Sequence, residues 1–328
     1  IFMVEQLLLH VGYHKTATSW MQQRLFVHEH GYHQIARHPE VWKHIVAPHG
    51  LLFDAEAMRA VIRKGMEALP DGKVPVISSE ILSGHPFFGG VGSDDYARRL
   101  KAIAPEAKIL VSIRAQPRIL TSVYMQYLLR GGTMSPEMFF AGDPDLGFHG
   151  FRAEHFEYHR LIGLYQELFG AANVHVITQE SLKTDMDGAT RALAGFAGND
   201  GFDGVRPTHR AAYSPSYPEY AVPLLRRINK FQKSVLTPAP AIRIGTTPNG
   251  FYRAVGYGLR RPPFSWLLCD YHPVSTYVEK TFRGRFDESN RKLAEITGHS
   301  LDLGDYGVAL RTVRPSLAAT VPNNAAAR

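Results

Sequence analysis

The chain has 328 residues, 45% of them hydrophobic, a single cysteine and a formal net charge of +7. This composition excludes disordered and fibrous classes, Cys269 alone excludes an intrachain disulfide or a multi-cysteine metal centre, and no apolar run reaches the roughly 20 residues that span a bilayer. A soluble globular protein of a reducing, cytoplasmic compartment is the expectation, and the basic balance favours an anionic ligand.

No basic region precedes an apolar core and cleavage site, so no secretion signal is expected, and Met3 reads as the natural start. "QLLLHV" (6–11) is a short apolar strand running into Gly12, and the spacing of "TSWMQQRLFVHEH" predicts a helix over 18–30. The histidine-rich "HEHGYHQIARH" (28–38) fits no closed zinc pattern, and no metal site is expected. "DAEAMRAVIRKGMEAL" (54–69) is helical, "KVPVISSE" (73–80) a second strand and "AKILVSIR" (107–114) a third. Pro117 opens the helix "PRILTSVYMQYLLRG", which ends at Gly131 and Gly132. "FEYHRLIGLYQELFG" (156–170) is an amphipathic helix, "NVHVIT" (173–178) a fourth strand and "GATRALAGFAG" (188–198) another helix.

Strands separated by helices predict an α/β fold: a three-layer parallel sheet with helices on both faces. A single domain is expected, with an α/β core at 3–198 and an irregular insertion over it at 199–275. In that insertion only "PEYAVPLLRRINKFQ" (218–232) reads helical; a helical segment at 276–310 and a frayed tail at 311–328 follow.

Three strand ends carry candidate chemistry. Gly12 lets the chain turn after the first strand. Thr16, Ala17, Thr18 and Ser19 are small residues whose amides can converge where a helix begins, with Lys15 adding a point charge. The lysine follows Gly12 by three residues, so the G-x-x-x-x-G-K-[ST] phosphate loop is absent. An exposed, hydroxyl-capped turn is the competing reading. Arg114 ends the third strand, and Ser122 lies eight residues further along the next helix. The pair suits an anion, against a plain surface ion pair for the arginine. Glu80 ends the second strand, where a carboxylate is placed for proton transfer.

In this combination the chain resembles the sulfotransferases that use 3'-phosphoadenosine-5'-phosphosulfate (PAPS), a P-loop NTPase-like fold. "GYHKTATSW" is similar to the family's 5'-phosphosulfate loop, with Lys15, Thr16, Ala17, Thr18, Ser19 and Trp20 in order and Ala17 where a glycine is usual. "IRAQPRILTS" resembles the 3'-phosphate motif through Arg114 and Ser122. In "VHVITQESLKTDM", Gln179 stands where the family has an aromatic adenine contact. "TFRGRFDESN" has the character of the loop that closes over the 3'-phosphate, which makes Arg283 and Arg285 candidates beside the reading of an exposed basic helix end.

The resemblance implies metal-free sulfuryl transfer from PAPS to a hydroxyl or amine of a carbohydrate, glycolipid or small metabolite. Lys15 would act on the bridging oxygen, Trp20 would stack on adenine, and Glu80 would be the base, with His14 and His85 as runners-up. The alternatives are an atypical nucleotide-dependent kinase, or a basic glycan-binding module with a vestigial nucleotide pocket. No nucleic-acid partner is expected. "GFYRAVGYGLRRPPFSWLLCDYHP" (250–273) reads as a loop packed on the core, with contact to a membrane or a lipid-linked acceptor as the other reading.

Overall fold

The computed structural model describes residues 7–211, 217–240, 242 and 244–307; Met3 and the tail at 311–328 lie outside the described residues. Five parallel strands form one sheet in the order β2-β3-β1-β4-β5: β1 Leu8–His10, β2 Tyr32–Ala36, β3 Val74–Ser78, β4 Lys108–Ile113 and β5 Val174–Thr178. The chain leaves β1 for the β2 edge, returns to pair β3 beside β1, then crosses to β4 on the other side. β1 is therefore the topological switch point, and ligands of open α/β sheets gather outside the strand ends there.

Alternation along the strands builds the layers. Leu7, Leu9, Val11, Ile77, Ile109 and Val111 point into one core, filled by Met58, Leu100, Leu120 and Ile162 of the helices Ala55–Glu67, Ser93–Ile103, Gln116–Leu129 and Tyr158–Phe169. Leu8, Val74, Val76, Leu110 and Ile177 point the other way, against Trp20, Met21, Leu25 and Leu193. The sheet is covered on both faces, as buried apolar parallel strands require.

Four expectations need correction. The helix after the first loop does not reach residue 30: it is α-helical over Thr18–Trp20, widens to a π turn over Met21–Leu25 and stops. Gln34 ends it, its amide nitrogen donating to the carbonyls of Gln22 (2.7 Å) and Phe26 (3.1 Å). Gln34 belongs to β2, hidden in the histidine-rich segment because a short edge strand with half-buried His33 and Gln34 has no apolar alternation to betray it. The insertion holds two helices beyond the expected one, Phe251–Gly258 and the short Phe264–Leu267, and the continuous helix expected near the C-terminus is two, Pro273–Phe282 and Asp287–Ile296, parted at Gly284 with φ +70°. The loop at 250–273 is packed on the core only in its first part, where Tyr252 is fully buried beside Leu225 and Ile228; no residue from 257 to 273 is buried.

Gly12 serves a different purpose from a sharp turn. A methyl group there would overlap Ser112 Oγ, Thr18 Cγ2 (2.5 Å) and His10 Nε2 (2.8 Å), all held in the space beneath the loop. Gly12→Ala should therefore cost about 1–3 kcal/mol by overpacking. A denaturant midpoint equal to wild type would refute that reading of Gly12.

Candidate functional site

The loop at 12–19 rests on a polar row laid across three strands. His10 is fully buried, its Nδ1 bonded to Ser78 Oγ of β3 (2.7 Å) and its Nε2 to Ser112 Oγ of β4 (3.0 Å). Thr16 Oγ1 lies 2.7 Å from Ser112 Oγ and donates to the Tyr13 carbonyl at 2.6 Å. A hydroxyl has one proton, so the direction of the chain is forced. Thr16 spends its proton on Tyr13, Ser112 donates to Thr16, and His10 Nε2–H donates to Ser112. Ser78 then donates to His10 Nδ1 and accepts from Gln22 Nε2 (3.2 Å). His10 is neutral in this arrangement, and burial accordingly pushes its pKa down to about 4.

Above this floor the backbone folds into two left-handed residues, Lys15 (φ 70°) and Ala17 (φ 69°). Ala17 in the left-handed region followed by helical Thr18 is the alternation that turns successive amides toward one concavity. The following helix is short, so any anion affinity here rests on loop amides, hydroxyls and Lys15 more than on an extended helix dipole.

These groups open onto a cavity of about 570 Å³. That lies within the roughly 300–1,000 Å³ of small-molecule sites. His14, Lys15, Ala17, Thr18, Ser19 and Trp20 line it from the loop, Glu80 from the end of β3, and Arg114 and Ser122 from the end of β4 and its helix. The far side is Gln126, Gln179, Leu182, Lys183, Met186 and Arg210. The structure thus brings three strand ends together, and among the described lining residues Glu80 is the one carboxylate.

The cations are short of counter-ions. Arg210 pairs with Asp187 at 2.5 Å, but neither Lys15 nor Arg114 makes an ion pair among the described residues. Arg114 has one long hydrogen bond, to the Lys15 carbonyl at 3.4 Å, and a buried Nε without a partner. Burial lowers the Lys15 pKa, with Arg114 adding repulsion, and burial also lowers that of Arg114. Glu80 Oε2 accepts from Gln22 Nε2 at 3.2 Å, which ties the carboxylate to the polar floor.

The remaining candidates are distributed unevenly. Trp20 lines the cavity but is itself buried, with its indole donating to the His209 carbonyl at 2.7 Å. Gln179 lines it with a buried, unpartnered Oε1. His85 is not in the cavity wall. Its ring lies 5.3 Å from that of His14, and both line a separate small cavity with Lys15, Phe87 and Gln126. Burial lowers His14 to about 3 and His85 to about 4. The structure does not bring Arg283 or Arg285 to the cavity. Arg283 borders a separate depression beside Gln116 and Asp287, and Arg285 is held by Glu157 (2.7 Å) and Glu154 (2.9 Å). Sequence reading passed over Gln22, Gln126 and Arg210; Gln22 sits at helical spacing from Ser19, but nothing in the sequence marked it as facing Glu80.

No protein-family model and no curated protein matches the chain. Among solved structures it is similar to a sulfotransferase from Alicyclobacillus acidocaldarius, at 20% identity over 68% of this chain and 89% of that one, with a TM-score of 0.46. It is also similar to mouse sulfotransferase SULT7A1 complexed with PAP, at 16% identity over 90% of this chain and 89% of that one, with a TM-score of 0.40. Likeness at this level carries no weight for the chemistry, which rests on the residues of the cavity.

Two measurements follow from this geometry. His10, His14, His85 and His155 all have folded pKa values lowered by burial to about 3 or 4 from 6.5. The unfolded chain therefore takes up protons first as pH falls, so stability is complete above 6.5 and is lost progressively toward 3. Melting temperature should drop across that window, less steeply in His10→Gln; an unchanged slope would contradict a neutral His10. Separately, Ala17→Gly should raise stability by about 0.5–1 kcal/mol, because relief of a left-handed alanine exceeds the added freedom of the unfolded chain. A loss of stability in chemical unfolding would count against strain at Ala17.

Proposed function

We propose that this chain transfers a sulfuryl group from PAPS to a hydroxyl or amine of an acceptor. One observation carries the reading: Lys15 and Arg114, both half-buried and without carboxylate partners among the described residues, meet across one cavity with Ser122 and the loop amides. Leaving two desolvated cations uncompensated is unfavourable unless a polyanion completes the site. Two anion positions on separate strand ends suit a nucleotide phosphorylated at both its 5' and 3' positions.

In this reading the loop amides, with Thr18 and Ser19, hold the 5'-phosphate, and Arg114 with Ser122 holds the 3'-phosphate. An acceptor oxygen forms its bond to sulfur as the bond from sulfur to the phosphate oxygen breaks in line. Lys15 stabilises the charge that grows on that leaving oxygen. Glu80 takes the acceptor proton, held in orientation by Gln22. A kinase reading would draw on Glu80 alone as a carboxylate for a metal ion.

The acceptor side is suggested by a second cavity of about 660 Å³, lined by Phe87, Phe88, Tyr127, Phe139, Phe148 and Phe151 among others. Phe87 also lines the small cavity formed with His14, Lys15 and His85, so one side chain separates the aromatic cavity from the surroundings of Lys15. Such walls favour an acceptor with an apolar body, a phenol or a glycolipid, over a bare saccharide. The same small cavity supports His85 as an alternative base, although a pKa near 4 makes it a weak one at neutral pH.

Adenosine 3',5'-bisphosphate should raise the melting temperature without magnesium, and Arg114→Ala should weaken its binding by roughly 10- to 100-fold. No shift with that nucleotide beside a clear one with magnesium-ATP would overturn the proposal. In a turnover assay with labelled PAPS and a phenol panel, Lys15→Ala should abolish transfer. Glu80→Gln should lower kcat by roughly 10²–10⁴-fold with nucleotide binding intact. A full-rate Glu80→Gln enzyme together with an inactive His85→Asn would move the base to His85.

A further inference from the structure

The surplus of positive charge is concentrated in one segment of the chain. Residues 224–271 contain eight of the 37 lysines and arginines and one of the 30 acidic residues, Asp270. The rest of the chain is balanced, 29 against 29, so the whole surplus of +7 belongs to this segment. The same segment holds 11 of the 20 large apolar side chains that are exposed among the described residues.

Its outermost part is the stretch 257–273, where no residue is buried. The short helix Phe264–Leu267 stands there with Trp266 72% and Leu267 77% exposed, and Phe264 beside them. Arg261 precedes the helix, exposed and without an ion pair among the described residues. Arg253 and Arg260 lie over the Tyr257 ring at 5.5 and 5.3 Å, which keeps their charges beside the apolar prominence.

We infer that this prominence docks the protein on an anionic membrane surface, with Phe264, Trp266 and Leu267 entering the headgroup boundary while the flanking arginines meet lipid phosphates. An aromatic and aliphatic wedge ringed by cations matches that interface on both counts. Other occupants fit less well. The residues at 308–328 carry three arginines and no acidic residue, so they repeat the patch's charge instead of complementing it. A second copy placed face to face would set one +7 segment against another. A nucleic acid would satisfy the charge and leave Leu267 nothing to bury against.

The experiment is vesicle flotation with the full chain, needing neither nucleotide nor turnover. The protein should float with vesicles of phosphatidylcholine and phosphatidylserine, much less with phosphatidylcholine alone, and less again at high salt. The double variant Trp266→Ser, Leu267→Ser should reduce partitioning roughly tenfold or more. Arg261→Glu should reduce it by at least roughly fivefold. Both variants alter exposed side chains, so their melting temperatures should match wild type and confirm that they fold. Absence of flotation with either vesicle, undiminished flotation of the double variant, or a concentration-dependent dimer that the double variant abolishes without any vesicle binding would each overturn the inference.

Discussion

Everything at the carboxyl end of this sheet depends on one imidazole. His10 sits on the central strand with a serine on each neighbouring strand, and its two ring nitrogens bind them both. Parallel strands are already tied through their backbones, but this ring fixes side chains across three of them at the level where the loop begins. A buried polar network is stabilising only when every member is satisfied, and here each proton has one destination from Gln22 through to the Tyr13 carbonyl. The loop's shape follows from that order: Thr16 is drawn down onto Ser112, and the left-handed residues on either side of it turn the chain back over the floor.

The cavity above stores electrostatic free energy in the opposite sense. Other partly buried cations have carboxylates against them, as with Arg285 between two glutamates or Arg99 against Asp95 at 2.7 Å. Lys15 and Arg114 are not, and partial removal from water magnifies their repulsion. A polyanion entering the cavity would relieve desolvation and repulsion together, so affinity is prepared in the unliganded fold. Glu80 is kept at one wall by Gln22, the same residue that begins the proton chain into His10. The candidate base and the candidate phosphate loop are thus two ends of one hydrogen-bonded structure.

Much of this was legible before the fold was known. The strands β4 and β5 and the helices Ala55–Glu67, Gln116–Leu129 and Tyr158–Phe169 stand where apolar periodicity puts them, because each buries one strong face. β2 escaped because an edge strand buries little, and its polar His33 and Gln34 look like part of a histidine cluster. The segment at 250–273 escaped in part for the converse reason: its apolar residues suggested a core contact, and the fold buries Tyr252 but leaves Phe264, Trp266 and Leu267 exposed.

The sequence by itself determined which residue types stand at the strand ends. Lys15, Glu80, Arg114 and Ser122 each follow or border an apolar run whose length and punctuation are local properties. What the tertiary structure alone decided is their convergence. The order β2-β3-β1-β4-β5 brings the ends of β3 and β4 to either side of β1, which no local periodicity encodes, since pairing depends on contacts between residues 68 and 102 positions apart. It also decided the negative cases. Arg285 looks as basic in the sequence as Arg114, but only packing reveals that two glutamates already hold it while Arg114 faces an open cavity.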